Sequence, residues 1–330
     1  MNSQRIISLD LIRMIAILLV IMQHSWSGLQ LDEPGMGIGS YCYQAIVVIG
    51  VPLFFMLSGA LLVGREPLPI GKFLNKRLRR LLIPYLLWAT IIYIISSTMH
   101  KYPDVATTSD ALLKYIPYLL SGRINVSYWY IFAITGLYLL TPFLQRALCM
   151  PHAKQLLQYS LGLWMAWLLL SAYYPLFGSL QYYNCIGVRY IGFFLTGYYC
   201  VNHLKDNQTN RIVALLAIPI LYAINVAGLS RGIDVTPIHA IITILIFLLL
   251  KSFAPPTYTQ RFITSASRYA YVIYFVHILI VSILCMLNIW EWCPLWIRPI
   301  FITAASFTLS YFITYLMERI RFVPNTWIGI

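Results

Sequence analysis

Ten apolar blocks, each close to the roughly 17–25 residues that a bilayer-crossing helix needs, follow one another along this chain of 330 residues. They are Ile6–Trp26, Tyr43–Val63, Leu81–Thr98, Tyr128–Gln145, Gln155–Tyr174, Cys185–Val201, Ile212–Leu229, Thr236–Phe253, Tyr269–Trp290 and Ile297–Met317. Hydrocarbon offers no partner to a backbone N–H or C=O, so each block must satisfy its own hydrogen bonds, as a helix does. A closed barrel would need short alternating strands, and these blocks do not alternate. Charged residues make up 10% of the chain, against roughly a quarter in a soluble domain. The expected fold is all-α: a polytopic transmembrane helical bundle of about ten spans, forming one membrane domain over residues 1–330 with no appended soluble domain.

The basic residues orient this bundle. With the N-terminus inside, sixteen of the 23 Lys and Arg residues fall in cytoplasmic segments, most densely at Arg65, Lys72, Lys76, Arg77, Arg79 and Arg80. The opposite face receives five: Lys101, Lys114, Arg123, Arg231 and Arg298. Arg13 and Arg189 lie inside spans. Both termini are therefore expected in the cytoplasm. The same bias accounts for the net charge of +13 without a nucleic-acid partner.

The first apolar block is too long for a cleavable signal peptide, carries Asp10 and Arg13, and is followed by no small-residue cleavage site. The six cysteines form no CxxC or Cys/His ligand spacing, so no metal site is expected. Cys42, Cys185 and Cys293 fall toward the outer face, where a disulfide is open to them; the plain reading is that all six pack as small apolar side chains. The longest outer loop, Met99–Ser127, contains Ser109–Ser121, patterned as an amphipathic surface helix. The aromatic clusters Tyr173–Tyr174, Tyr182–Tyr183 and Trp290–Trp296 read first as interfacial belts and second as a surface on which sugar rings could stack.

Ionisable side chains inside a bilayer are costly and mark function. The first span has three: Asp10, Arg13 and His24. At about 100° per residue, Arg13 and His24 are eleven residues and only about 20° from full turns apart, and Asp10 shares their face. At a rise of about 1.5 Å per residue they lie roughly 16.5 Å apart along the axis, so they can line one tunnel without touching. The plainer alternative is an i,i+3 Asp10–Arg13 pair at the inner interface and a satisfied histidine farther out. Arg77 and Arg80 share a helical face before the third span, where they read either as a positive-inside stop or as a fork for phosphates. Trp129 lies within Tyr128-Trp129-Tyr130 at a span entrance, and Tyr274 and His277 form an i,i+3 pair inside another span. His239, alone in its span, reads as structural.

In order along the chain, these pieces resemble the acyltransferase-3 family of bacterial integral membrane O-acyltransferases. Leu9-Asp10-Leu11-Ile12-Arg13 with His24 is similar to its Arg-x10-His signature. Val51 to Gly59, Arg77-x-x-Arg80 with Pro84-Tyr85, and Ser267 through Tyr274-x-x-His277 resemble further family stretches. Tyr128-Trp129-Tyr130 resembles its His-Leu-Trp-Phe stretch but has Tyr128 where a His is common, so no role is carried to that position. The length is similar to that of stand-alone members acting on a surface polysaccharide such as enterobacterial common antigen.

The resemblance implies a multi-pass protein of the bacterial inner membrane that moves an acetyl group from cytoplasmic acetyl-CoA to a hydroxyl of a lipid-linked or surface glycan. It implies acetyl-CoA as donor substrate, no permanently bound cofactor, a saccharide acceptor and membrane lipids as partners. It points to His24, Arg13 and Asp10 as catalytic residues and to Arg77 and Arg80 as cofactor-phosphate ligands. Transfer directly to the sugar and transfer through an acylated His24 both stay open. The residues alone leave a rival of another class, a secondary transporter for a saccharide or lipid-linked precursor, with Asp10, Arg13 and His24 as an ion relay.

Overall fold

The computed structural model describes residues 6–29, 37–173, 188–230, 236–287 and 292–319, and these residues contain helices and no strand. In chain order the helices are α1 (Ile7–Gly28), α2 (Ile38–Val47), α3 (Gly50–Leu62), α4 (Ile70–Thr98), α5 (Thr108–Ser121), α6 (Trp129–Ala147), α7 (Ala153–Tyr173), α8 (Val188–Asn202), α9 (Gln208–Leu229), α10 (Thr236–Ser252), α11 (Thr257–Met286) and α12 (Arg298–Arg319). A 3-10 turn, Val126–Tyr128, leads into α6. Among the described residues, six helical stretches are long and apolar enough to cross a membrane: α1, α2 with α3, α4, α9, α11 and α12.

Each apolar block of the sequence meets a helix, with instructive differences at the edges. The second block is two helices, interrupted at Val48–Ile49. The helix of the third block, α4, begins earlier, at Ile70, so the basic cluster from Lys76 to Arg80 is helical and its register is fixed. Arg5, Tyr174, Tyr182, Tyr183, Cys185, Arg231 and Trp290 lie outside the described residues. Among the described residues five cysteines are free, and Cys149 is exposed rather than packed inside, its thiol donating to the Gln145 carbonyl one turn back.

A helix with a charged face cannot turn that face to hydrocarbon and belongs in the middle of a bundle, and α1 takes that place. It packs against α3, α10, α11 and α12, with Ile12, Ala16, Ile17 and Ile21 fully buried. The outer helices turn their apolar side chains outward instead: Leu215, Leu216 and Ile220 of α9 are all exposed, as hydrocarbon-facing residues should be. Tyrosine hydroxyls tie the layers together by donating to backbone carbonyls of neighbouring helices. Tyr271 of α11 donates to Leu81 at 2.8 Å, and Tyr85 of α4 to Leu119 of α5 at 2.6 Å. The outer-loop helix α5 starts on a capping box in which Thr107 and Asp110 satisfy each other's backbone N–H, and stops at Gly122 in the left-handed region.

The closest packing is between α3 and α8. A Cβ added at Gly59 would lie 1.7 Å from the Phe194 carbonyl oxygen, and one at Gly197 would lie 1.9 Å from that of Met56. The obstacles are backbone atoms, so the two helices would have to separate. Small residues that let backbones approach are how helices associate where no hydrophobic force drives them together. Gly59→Ala or Gly197→Ala should therefore cost about 1–3 kcal/mol or more. Gly162→Ala, with nothing near the new methyl, should be tolerated. Thermal unfolding of the three variants in detergent checks this; equal midpoints for all three would refute it.

Candidate active site

The polar face of α1 is answered by α11. Asp10 is buried, and its carboxylate accepts a 2.6 Å hydrogen bond from the Ser267 hydroxyl. Ser267 in turn accepts from Arg13 Nη1 at 2.8 Å, while the same guanidinium lies 3.5 Å from the Asp10 carboxylate. The i,i+3 pair is thus tied through Ser267 into a network across two helices. A buried carboxylate left without these partners would be strongly destabilising. The network also aims the guanidinium: with part of its fork held by Asp10 and Ser267, the rest of Arg13 fronts a cavity.

That cavity, about 210 Å³, lies among α1, α3, α4, α6 and α11. Arg13 and Arg77 both line it, with Ser58, Tyr138 and Tyr271. Arg77 comes from the basic cluster of α4, half-buried and with its guanidinium carbon 5.9 Å from the centre of the Phe73 ring. Arg65 and Arg80 are near enough to add to the positive field at Arg77. Arg80 itself is exposed and is not among the lining residues. The two arginines that the sequence places on one face are therefore not equivalent, and the cavity instead pairs Arg77 with Arg13, far away in the chain.

A second cavity of about 260 Å³ adjoins the first. Val20, Val51, Tyr130 and Tyr274 line both. His24 lines the second, beside Gln23, and across it stand Trp129 of α6, Tyr190 of α8 and His239 of α10. Trp129 and Tyr190 lie with ring centroids 5.2 Å apart, forming an aromatic wall. His239 shares a 2.9 Å hydrogen bond with the buried Asn225 of α9, so it is anchored in the wall of the chamber and not isolated in its span. Tyr274 donates to the Ser127 carbonyl, which fixes its ring between the two cavities. His277, the other member of the Tyr-x-x-His pair, is fully buried on α11 with its ring centroid 5.3 Å from that of His24.

The structure thus divides the sequence-derived residues into three groups. Asp10 and Arg13, with Arg77, attend the first cavity; His24 and Trp129 attend the second; Tyr274 stands between, and His277 backs His24. Sequence reading missed Ser267 as the link between Asp10 and Arg13, Tyr130 as a shared wall, and Asn225 as the anchor of His239. Tyr130, Ile134 and Tyr138 recur at i, i+4 and i+8 on α6, a helical spacing that could have marked them as one lining face.

Chemically, the arrangement offers two guanidinium groups at one end, an imidazole about 16.5 Å farther along α1, and an aromatic wall beside that imidazole. Guanidinium forks suit phosphate, and a neutral imidazole suits proton transfer. No curated protein and no solved structure matches the chain. The acyltransferase-3 profile, described as an acyltransferase domain, matches residues 6–317, which include every residue of both cavities. A match of that extent carries the assignment that the paired cavities only suggest: the chain belongs to the acyltransferase-3 family of acyltransferases.

Proposed function

We propose that this membrane acyltransferase is an O-acetyltransferase, taking acetyl groups from cytoplasmic acetyl-CoA and placing them on a sugar hydroxyl of a lipid-linked or surface polysaccharide. The observation that carries the proposal is the pair of adjoining cavities, one holding Arg13 and Arg77 and the other holding His24 beside an aromatic wall. In this reading the chain spans the bacterial inner membrane ten times with both termini inside, and Arg77 lies toward the cytoplasmic mouth. The CoA phosphates sit against Arg13 and Arg77, with Arg80 adding charge outside the cavity. The slender pantetheine arm reaches past Val20 and Tyr274 toward His24.

A sugar hydroxyl is a weak nucleophile at neutral pH. His24 removes its proton as the oxygen attacks the thioester carbonyl, a contribution of about 10²–10⁴-fold for a positioned base. Trp129 and Tyr190 provide apolar ring faces of the kind that sugars stack on. Because His24 lies some eighteen residues beyond Ile6, hence roughly 27 Å along the helix, the acetyl group crosses most of the bilayer in each cycle and meets an acceptor reached from the periplasmic side. The transporter reading would use the Asp10–Ser267–Arg13 network as its relay, and the match to an acyltransferase domain favours transfer over transport.

Envelope polysaccharide from wild-type cells and from cells lacking the gene, compared by NMR, tests the proposal. The deletion strain should lose O-acetyl signals, and a plasmid copy should restore them. Identical acetylation in the two strains would remove the assignment of a glycan acceptor.

A further inference from the structure

His277 lies outside both cavities, yet its ring is next to that of His24. It is completely buried, and Nδ1 lies 3.1 Å from the Ile273 carbonyl one turn back on α11. A carbonyl only accepts, so Nδ1 carries the hydrogen. In the neutral ring Nε2 is then an acceptor with a lone pair. That Nε2 is buried and has no hydrogen-bond partner among the described residues. Burying an acceptor without a donor is unfavourable, and such groups call for an explanation.

The geometry supplies one. The centroids of His24 and His277 are 5.3 Å apart with their planes at 47°. Two imidazoles joined by one N–H···N hydrogen bond span about 5 Å, since each nitrogen lies roughly 1 Å from its centroid and the bond is about 3 Å long. The observed centroid separation matches that span, so the contact needs a His24 nitrogen facing Nε2 and no approach of the two rings. The backbone at His277 is itself held, its carbonyl accepting from Ser306 of α12 at 3.4 Å.

We propose that His277 is a positioning residue for His24: its Nε2 accepts the N–H of one His24 nitrogen and so selects the tautomer whose other nitrogen presents its lone pair to the cavity. This deepens the reading of His24 as the base in acetyl transfer and rests on it. In the step itself, the cavity-facing nitrogen takes the proton of the acceptor hydroxyl while the oxygen bonds to the thioester carbon and the carbonyl pair moves onto its oxygen. As the carbonyl re-forms, the C–S bond breaks, and the thiolate takes the proton from His24 and leaves as the free thiol. His24 is cationic between these events, and its second N–H stays directed at His277 throughout. A base oriented by a third group is a recurring catalytic arrangement. Here the orienting group is a second imidazole whose own hydrogen is committed to a helix carbonyl.

Membranes from cells lacking the chromosomal gene, each carrying one plasmid-borne variant, test this with labelled acetyl-CoA as the varied substrate and the cells' own envelope glycan as acceptor. His277→Phe keeps the ring and the packing but removes the acceptor. His277→Gln offers a carbonyl oxygen in its place. Rates are taken per folded protein, with folding judged from the thermal midpoint in detergent. The maximal rate of His277→Phe should fall about 10²-fold with an unchanged apparent KM for acetyl-CoA, and His277→Gln should recover a tenth or more of the wild-type rate. A His277→Phe rate within twofold of wild type overturns the proposal. So does a folded His277→Gln protein no faster than His277→Phe, because packing alone would then explain the residue. No transfer by wild-type membranes is a different result, and it would remove the parent reading of the chain as an acetyltransferase.

Discussion

His24→Ala should lower acetyl transfer by at least 10²-fold and as much as 10⁴-fold, while the protein inserts and melts as the wild type does. The large effect follows from the position of the imidazole in the wall of the second cavity, where the other lining imidazole, His239, stands across the chamber and is tied to Asn225. The small effect on stability follows from the same place, because His24 is only partly buried and lines open space instead of filling the core. Acetyl transfer to envelope glycan by membranes carrying the variant is the measurement. Wild-type turnover by His24→Ala would make the histidine structural and move the chemistry elsewhere.

The second large effect concerns the arginines, and it separates two residues that the sequence treats alike. Arg77→Ala should raise the apparent KM for acetyl-CoA tenfold or more, through loss of a charge-assisted contact worth about 1.5–3 kcal/mol. Arg80→Ala should change it less than threefold, since an exposed charge outside the cavity acts through screened solvent. Arg77→Lys should recover only part of the loss, because a point charge cannot reproduce a planar fork. An acetyl-CoA titration of the three variants decides the matter. Equal KM values for Arg77→Ala and Arg80→Ala would restore them as equal partners, and an unchanged KM in both would return the cluster to a purely topogenic role. Arg13 is the less clean probe, because its removal also takes a guanidinium away from the buried Asp10 carboxylate.

Much of this site was legible in the sequence because it lies along one helix. Asp10, Arg13 and His24 share a face by helical periodicity alone, and burial of that face follows from the cost of charge in hydrocarbon. What periodicity cannot carry is the choice of neighbour. Nothing in the spacing of α4 says that Arg77 turns inward to meet Arg13 while Arg80 turns out, since both share a face and differ only in what packs beside them. Ser267 looks like any small residue of a membrane helix until α11 is laid against α1. Tyr130 sits in an aromatic triplet that, at a span entrance, reads by default as part of an interfacial belt. The glycines at 59 and 197 are likewise unremarkable in isolation, and only the meeting of α3 with α8 makes a methyl group there intolerable.

The four side chains common to both cavities, Val20, Val51, Tyr130 and Tyr274, also bear on the energetics of the cell. A passage running most of the way across an energised membrane is a potential short circuit, and every proton that slipped through it would dissipate the gradient. Two aliphatic and two aromatic side chains, with the Tyr274 hydroxyl already committed to the Ser127 carbonyl, give a hydrated ion little to bind at the junction. A flexible thioester arm can part such side chains and plug the gap as it does so. On the proposed route the junction would serve as an insulator as well as a passage, with the width of its opening tied to the girth of the donor's arm.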